Sequence, residues 1–250
     1  MIGPMDFGDL GYLRVAAVVP PVHLADPAAN AAEIVEWARS AASRGVSLAV
    51  FPALSVTGYT CEDLFQSRAL LTAAREALVF IARETADLNL VLVVGAPLQA
   101  PDSRLYNCAV VLSAGQIQGA VPKVHLPTYG EFYERRWFAS GAGVDLELDG
   151  FRLSTRHLFR RGPATFAIEV CEDLWAPVPE SGAHALAGAT LILNPSASND
   201  WVSKADYRRE LVRQQSGRLN AAYAYVSAGP TESSKDVVYG GHALIAENGA

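Results

Sequence analysis

The sequence predicts an α/β fold with mixed sheets. Short valine-rich runs alternate with helical apolar spacing over the first hundred residues, a tight hairpin breaks that alternation near residue 114, and strand-like runs return in the second half. At 250 residues, 50% apolar and 18% charged, the chain is long enough to bury one sizeable core, and a single domain is expected. The same composition excludes disordered and fibrous classes.

Residues 13–19 form the first apolar run and stop at Pro20-Pro21, which reads as a buried strand entering a loop. A helix follows: Asp26 is placed as its N-cap, Pro27 takes the first position, and Gly45 stands where it should stop. Between them Ala31, Ile34, Val35, Ala38 and Ala42 recur at helical spacing. Residues 47–51 read as a strand, 71–86 as a helix with Leu71, Ala74, Leu78 and Ile81 on one face, and 90–96 as a third strand. Residues 106–112 and 116–121 flank a short Ser-Ala-Gly link and pair as a hairpin.

From 125 to 143 the chain is weakly periodic and carries Tyr129, Phe132, Tyr133 and Trp137 beside Glu131, Glu134, Arg135 and Arg136. Long ordered loops in compact domains are often functional. Later strands are expected at 145–153, 164–170, 190–194, 222–227 and 237–246, with a helix over about 204–220. Asn248-Gly249 is a strong hairpin-turn signal with no returning strand, which suggests a chain cut before its last elements. Met5 offers an alternative start behind a short extension.

Twenty basic against 26 acidic side chains give a net charge of −6 without a dense Lys/Arg tract, which argues against nucleic-acid or anionic-membrane partners. A small-molecule substrate fits better. Cys61, Cys108 and Cys171 are scattered, which suits free thiols in a reducing compartment rather than a disulfide framework or a zinc site. The acidic amino terminus and the lack of an apolar run of ~18 residues lead to the expectation of a cytoplasmic protein with no membrane partner.

Cys171 sits between a predicted strand and Glu172-Asp173-Leu174-Trp175, a strand-to-turn position that presents a side chain at a sheet edge. Backbone N–H groups beyond such a turn lower a thiol pKa and stabilise an oxyanion. An inert buried cysteine is the competing reading. Lys123, one of three lysines in the chain, ends a strand in the apolar context Ala-Val-Pro-Lys-Val-His-Leu-Pro. A positioned ammonium there polarises a carbonyl; a strand-end lysine with a snorkelling stem is the alternative. His125, beside apolar neighbours, is left outside the site.

Three phrases in order, Phe51-Pro52-Ala53-Leu54-Ser55-Val56-Thr57-Gly58-Tyr59, Val121-Pro122-Lys123 and Glu169-Val170-Cys171-Glu172-Asp173, resemble the Glu, Lys and Cys signatures of the nitrilase (carbon-nitrogen hydrolase) superfamily. The phrases around Gly58–Phe65, Leu126–Arg136 and Asn194–Ser198 are similar to the glutaminase domain of glutamine-dependent NAD synthetases. The resemblance implies a four-layer α-β-β-α sandwich. It further implies that Cys171 attacks the side-chain amide of glutamine while Lys123 and the N–H of Glu172 hold the oxyanion. Tyr129, Phe132, Glu172 and Ser198 are the implied substrate contacts. Glu172 also suits the ammonium of a free amino acid, and Lys204 its carboxylate. Glu131 is the expected accessory carboxylate against Lys123.

One position departs from the family. Its catalytic glutamate belongs at residue 53, where this chain has Ala53. A methyl group takes no proton, so catalysis is expected to be impaired, by ~100- to 10,000-fold for one acid-base group. An intact Cys171 and Lys123 beside one lost carboxylate is what a single deliberate replacement looks like; a copy turned non-catalytic is the competing explanation. The resemblance implies a following ATP- and Mg-dependent synthetase domain in cis; no Gly-rich phosphate loop occurs in these 250 residues, so they are expected to lack that domain. The resemblance further implies that this domain needs no cofactor of its own and assembles as a homo-oligomer. A stand-alone amidase or carbamoylase and a non-catalytic binding module are the alternative functions.

Overall fold

The structure is a computed structural model that describes residues 10–250; the alternative start Met5 lies outside them. Three strands alternate with two helices first: β1 (Val15–Ala17), α1 (Pro27–Ser43), β2 (Leu48–Val50), α2 (Arg68–Glu84) and β3 (Val91–Gln99). The hairpin β4 (Leu105–Ser113) and β5 (Gln116–Pro122) comes next, followed by β6 (Asp145–Leu148) and β7 (Phe151–Ser154). The second half supplies β8 (Phe159–Arg161), β9 (Ala164–Ile168), α3 (Ser181–Leu186), β10 (Leu191–Ser196), α4 (Lys204–Leu219), β11 (Ala222–Ser227) and β12 (Ala243–Ala246).

These strands form two mixed sheets, one ordered β1-β2-β3-β4-β5-β7-β6 and one ordered β12-β11-β10-β9-β8. Side-chain alternation then dictates the layers. In the first sheet Ala49, Leu92 and Val94 face α1 and α2, meeting Ile34, Ala38, Leu78 and Ile81 in one core. Their neighbours Leu48, Val50, Val91 and Val93 point the other way and meet Ile168, Leu191, Leu193, Ala224 and Val226 of the second sheet. On the far face of that sheet, Ala167, Ile192, Tyr223 and Tyr225 pack with Val212 of α4. The result is the expected α-β-β-α sandwich.

Local chemistry accounts for the boundaries. Asp26 caps α1 as expected, its Oδ1 accepting from the Ala29 N–H at 3.1 Å. The expected single strand over 145–153 is instead the hairpin β6–β7, because Asp149 and Gly150 both take positive φ (49° and 86°) as a two-residue type I′ turn requires. The expected strand over 237–246 is confined to β12. Glycines 240 and 241 break it: a Cβ at Gly240 would lie 1.8 Å from the Asp200 carboxylate, and Gly241 has φ +70°. No helix among the described residues is long and apolar enough to cross a membrane.

Candidate active site

Four strand ends converge on one edge of the sandwich. Lys123 directly follows β5, Ala53 lies just beyond β2, Ala197 directly follows β10, and Cys171 opens a 3₁₀ turn just beyond β9. The two sheets are tied there by the bond from the Ala53 N–H to the Ser196 carbonyl, 3.2 Å. Segment 52–54 crosses so close to β3 that a Cβ on Gly95 would stand 2.0 Å from Leu54 N and 2.5 Å from the Pro52 carbonyl oxygen. Glycine is required at that crossing.

Cys171 adopts φ +51°, a left-handed conformation that costs a non-glycine residue about 1–2 kcal/mol and recurs at functional turns. Asp173, fully buried, holds the turn. Its Oδ2 accepts from the Val170 N–H at 2.9 Å, and its Oδ1 accepts from the N–H groups of His125 (2.7 Å) and Val124 (3.1 Å). One carboxyl thus joins the β9 end to the β5 end. Burial pushes it up to about 7, against the lowering effect of those donors.

The ammonium of Lys123 is 0% exposed and donates to Oε1 of Glu134 at 2.6 Å; the Glu134 side chain is 1% exposed. Tyr59 donates to the same oxygen at 2.8 Å. Oε2 of Glu134 is buried and accepts no hydrogen bond from any described residue. The carboxylate against the lysine is therefore Glu134 and not Glu131, which accepts a hydrogen bond from the Asn199 amide instead. The cause is the 3₁₀ turn Glu134–Arg136, which turns Glu134 inward while Glu131 stays on the partly open rim.

Burial raises the Cys171 thiol pKa. Lys123 and the backbone N–H of Ala197 oppose that rise, and Glu134 adds to it. For Lys123 burial works against the charged form, but Cys171 and Glu134 outweigh it and hold its pKa above the ordinary lysine value. Thiol, ammonium and carboxylate therefore form one electrostatic unit.

A cavity of about 180 Å³ opens onto Cys171, and Tyr129, Phe132, Glu172, Ser198 and Lys204 line it together with Trp175 and Trp201. That volume suits a small metabolite rather than a polymer or a drug-sized ligand. Tyr129 donates to Glu172 at 2.8 Å. Lys204 stands over the Trp201 ring at 4.7 Å and the Trp175 ring at 5.5 Å and donates to Asn199. Burial raises the Glu172 carboxyl pKa and lowers that of Lys204. A larger hollow of about 700 Å³ lies at the opposite, starting ends of β1, β9, β10 and β11, where no cysteine lines it.

The structure brings Cys171, Tyr129, Phe132, Glu172, Ser198 and Lys204 to one cavity, with Lys123 buried beside it and Ala53 in the same core as Cys171. Sequence reasoning missed Glu134, Tyr59 and Arg208. Arg208, 0% exposed, donates to the Asn199 carbonyl and the Asp200 carboxylate, each at 3.0 Å, and so fixes the turn carrying Ser198. Its only sequence signal was an arginine within α4. Among the described residues no cluster of three His, Cys, Asp or Glu side chains is arranged to hold a metal ion.

Residues 14–249 match the sequence profile of carbon-nitrogen hydrolases. A glutamine-dependent NAD(+) synthetase of Mycobacterium tuberculosis is 44% identical over 247 residues, which cover 96% of this chain and 36% of that protein. The chain thus spans about a third of the length of that relative. The crystal structure of a glutamine-dependent NAD(+) synthetase from Cytophaga hutchinsonii superposes with a TM-score of 0.85 at 28% identity, covering 95% of this chain and 39% of that one. An amidase from Nesterenkonia sp., 22% identical, shares the fold with a TM-score of 0.78 over 95% of this chain and 83% of its own. The chain belongs to the carbon-nitrogen hydrolase family.

Proposed function

We propose that the chain is a glutamine amidohydrolase domain whose ammonia serves an NAD synthetase domain, and that Ala53 impairs its turnover. The observation that carries this reading is the cavity at Cys171. The acidic Glu172, the basic Lys204 and the Cys171 thiol line the same cavity, a set complementary to a zwitterionic amino acid with a reactive side-chain amide. The names of the relatives support glutamine as that amino acid.

In this mechanism the Cys171 thiolate attacks the amide carbon, and Lys123 with the N–H of Glu172 holds the developing oxyanion. Ammonia leaves, and water hydrolyses the γ-glutamyl thioester. Ala53 supplies no proton acceptor for either half, so steady turnover is slow. The synthetase domain as partner in cis and assembly into a homo-oligomer belong to the same proposal.

The test compares ammonia release from glutamine by the chain and by Ala53→Glu, with the intact mass of each after incubation. Restored turnover of at least ~100-fold supports the reading. Hydrolysis of other amides but not glutamine by Ala53→Glu would favour a stand-alone amidase. No turnover, no adduct and no glutamine binding would leave a non-catalytic module.

A further inference from the structure

We propose that Asn107 is a positioning residue for the side chain at residue 53: its carboxamide is placed to hold a carboxylate there, and in this chain it is left with a methyl group instead. That a carboxylate belongs at residue 53 is part of the function proposed above; the place of Asn107 in the sandwich does not depend on it.

Strand register fixes that place. Along β4, Tyr106 and Cys108 pack toward the helices, whereas Leu105 and Ala109 pack between the sheets. Alternation puts Asn107, 1% exposed, on the inter-sheet face with the second pair. On β3, Gly95 pairs with Ala109 and Pro97 with Asn107, so Gly95 is a diagonal neighbour of Asn107 on that face. On the other side of β4, Ala109 pairs with Val121, and the Lys123 N–H donates to the Asn107 carbonyl at 2.8 Å. Asn107 and Lys123 are therefore opposed on one face.

Segment 52–54 crosses the same face. A Cβ on Gly95 would stand 2.6 Å from the carbonyl carbon of Ala53, so residue 53 lies over Gly95, one diagonal step from Asn107. Diagonal neighbours in a sheet are about 7–8 Å apart, a gap that long side chains close and a methyl group does not. Ala53 shares the inter-sheet core with Ala109, Val121 and Cys171.

The amide itself lacks any partner on this face. Neither Oδ1 nor Nδ2 of Asn107 bonds to a described residue, and no other buried side chain among them leaves two polar atoms unpaired. Buried polar groups are overwhelmingly paired, and an apolar residue of the same shape is the more stable choice where no polar neighbour belongs. Charge says what that neighbour is. Lys123 and Glu134 already form a closed ion pair. A carboxylate at residue 53 adds one buried negative charge, and Nδ2 gives it an uncharged donor beside the shared lysine.

The experiment is a double-mutant cycle by urea unfolding on the unaltered chain, Asn107→Leu, Ala53→Glu and the double variant. In the unaltered chain leucine removes two unpaired polar atoms, so the folding constant should rise about threefold or more. With glutamate at 53 the same change removes its donor, and the folding constant should fall about tenfold. Loss of stability in both backgrounds, the result if an internal water serves the amide, overturns the proposal; so does a gain in both. If Ala53→Glu does not fold, Ala53→Gln replaces it in the cycle, with the same reversal of sign expected. Turnover supplies a reading that packing alone does not move. In Ala53→Glu, adding Asn107→Leu should raise the acid limb of kcat/KM for glutamine by about one pH unit and lower kcat about tenfold, with KM within about twofold. An unmoved limb overturns the proposal. Restored glutamine turnover in Ala53→Glu with additive stabilities would sink the Asn107 role alone. The reversal of sign with no amide hydrolysed by Ala53→Glu would sink the glutaminase reading alone.

Discussion

Lys123→Met isolates the buried pair beneath the cavity. Methionine keeps most of the volume, so the change removes charge rather than packing. What remains is the Glu134 carboxylate, 1% exposed, with the Tyr59 hydroxyl as its one hydrogen-bond donor among the described residues. Breaking such a pair on one side costs about 3–5 kcal/mol, because the surviving charge is left uncompensated. For a domain of this size each kcal/mol moves Tm by about 2–4 °C, so Tm should fall by about 6–20 °C. Glu134→Gln should cost a similar amount by stranding the ammonium. The double variant buries no charge and should lie within about 2 kcal/mol of the unaltered chain, giving a coupling energy above about 3 kcal/mol in a double-mutant cycle. Urea and thermal unfolding of the four proteins measure it. Single variants that each lose less than about 1 kcal/mol and add in the double would refute the reasoning.

Other outcomes follow from single contacts. Gly95→Ala forces a Cβ into the backbone of segment 52–54 at 2.0 Å, so the variant should lose more than about 3 kcal/mol by denaturant unfolding; a near-neutral result would mean that the crossing is looser than described. Tyr129→Phe removes the donor to Glu172 and should weaken glutamine binding about 5- to 10-fold by calorimetry, with little change in Tm. Asp173 titrates near 7 in the folded chain against about 3.8 when unfolded, so its contribution is complete at acid pH and is lost as pH rises through about 7. Stability should fall between about pH 4 and 7 by at most about 1.4 kcal/mol per unit from this group and level off above, and Asp173→Asn should reduce that slope; an unchanged slope would assign the titration elsewhere.

Much of the fold was legible because its signals are local. The Asp26 cap, the apolar spacing of α1 and α2 and the Ser-Ala-Gly link each act through neighbours in sequence. Cys171 and Lys123 were legible for a related reason, since both stand where strands end, and lysine is scarce enough for its place to inform. Ala53 drew attention only through the phrase around it, because alanine carries no chemistry of its own. Glu131 and Glu134 could not be told apart by spacing. The loop that holds them has no regular period, and which carboxylate turns inward is decided by a 3₁₀ turn packed against Tyr59 and Lys123. Elements as short as α3 and β8 give too few residues for a period to show.

The Asp173 bonds have a consequence for how this scaffold tolerates change. Val170 belongs to the strand end that carries the thiol, and Val124 and His125 adjoin the one that carries the ammonium. Substitutions that slide one sheet over the other act on the broad apolar interface between them. The spacing of the two reactive groups is set separately, by a single side chain bonded to both strand ends. The sandwich interior can therefore be repacked, or its outer helices exchanged, while the thiol and ammonium keep their separation.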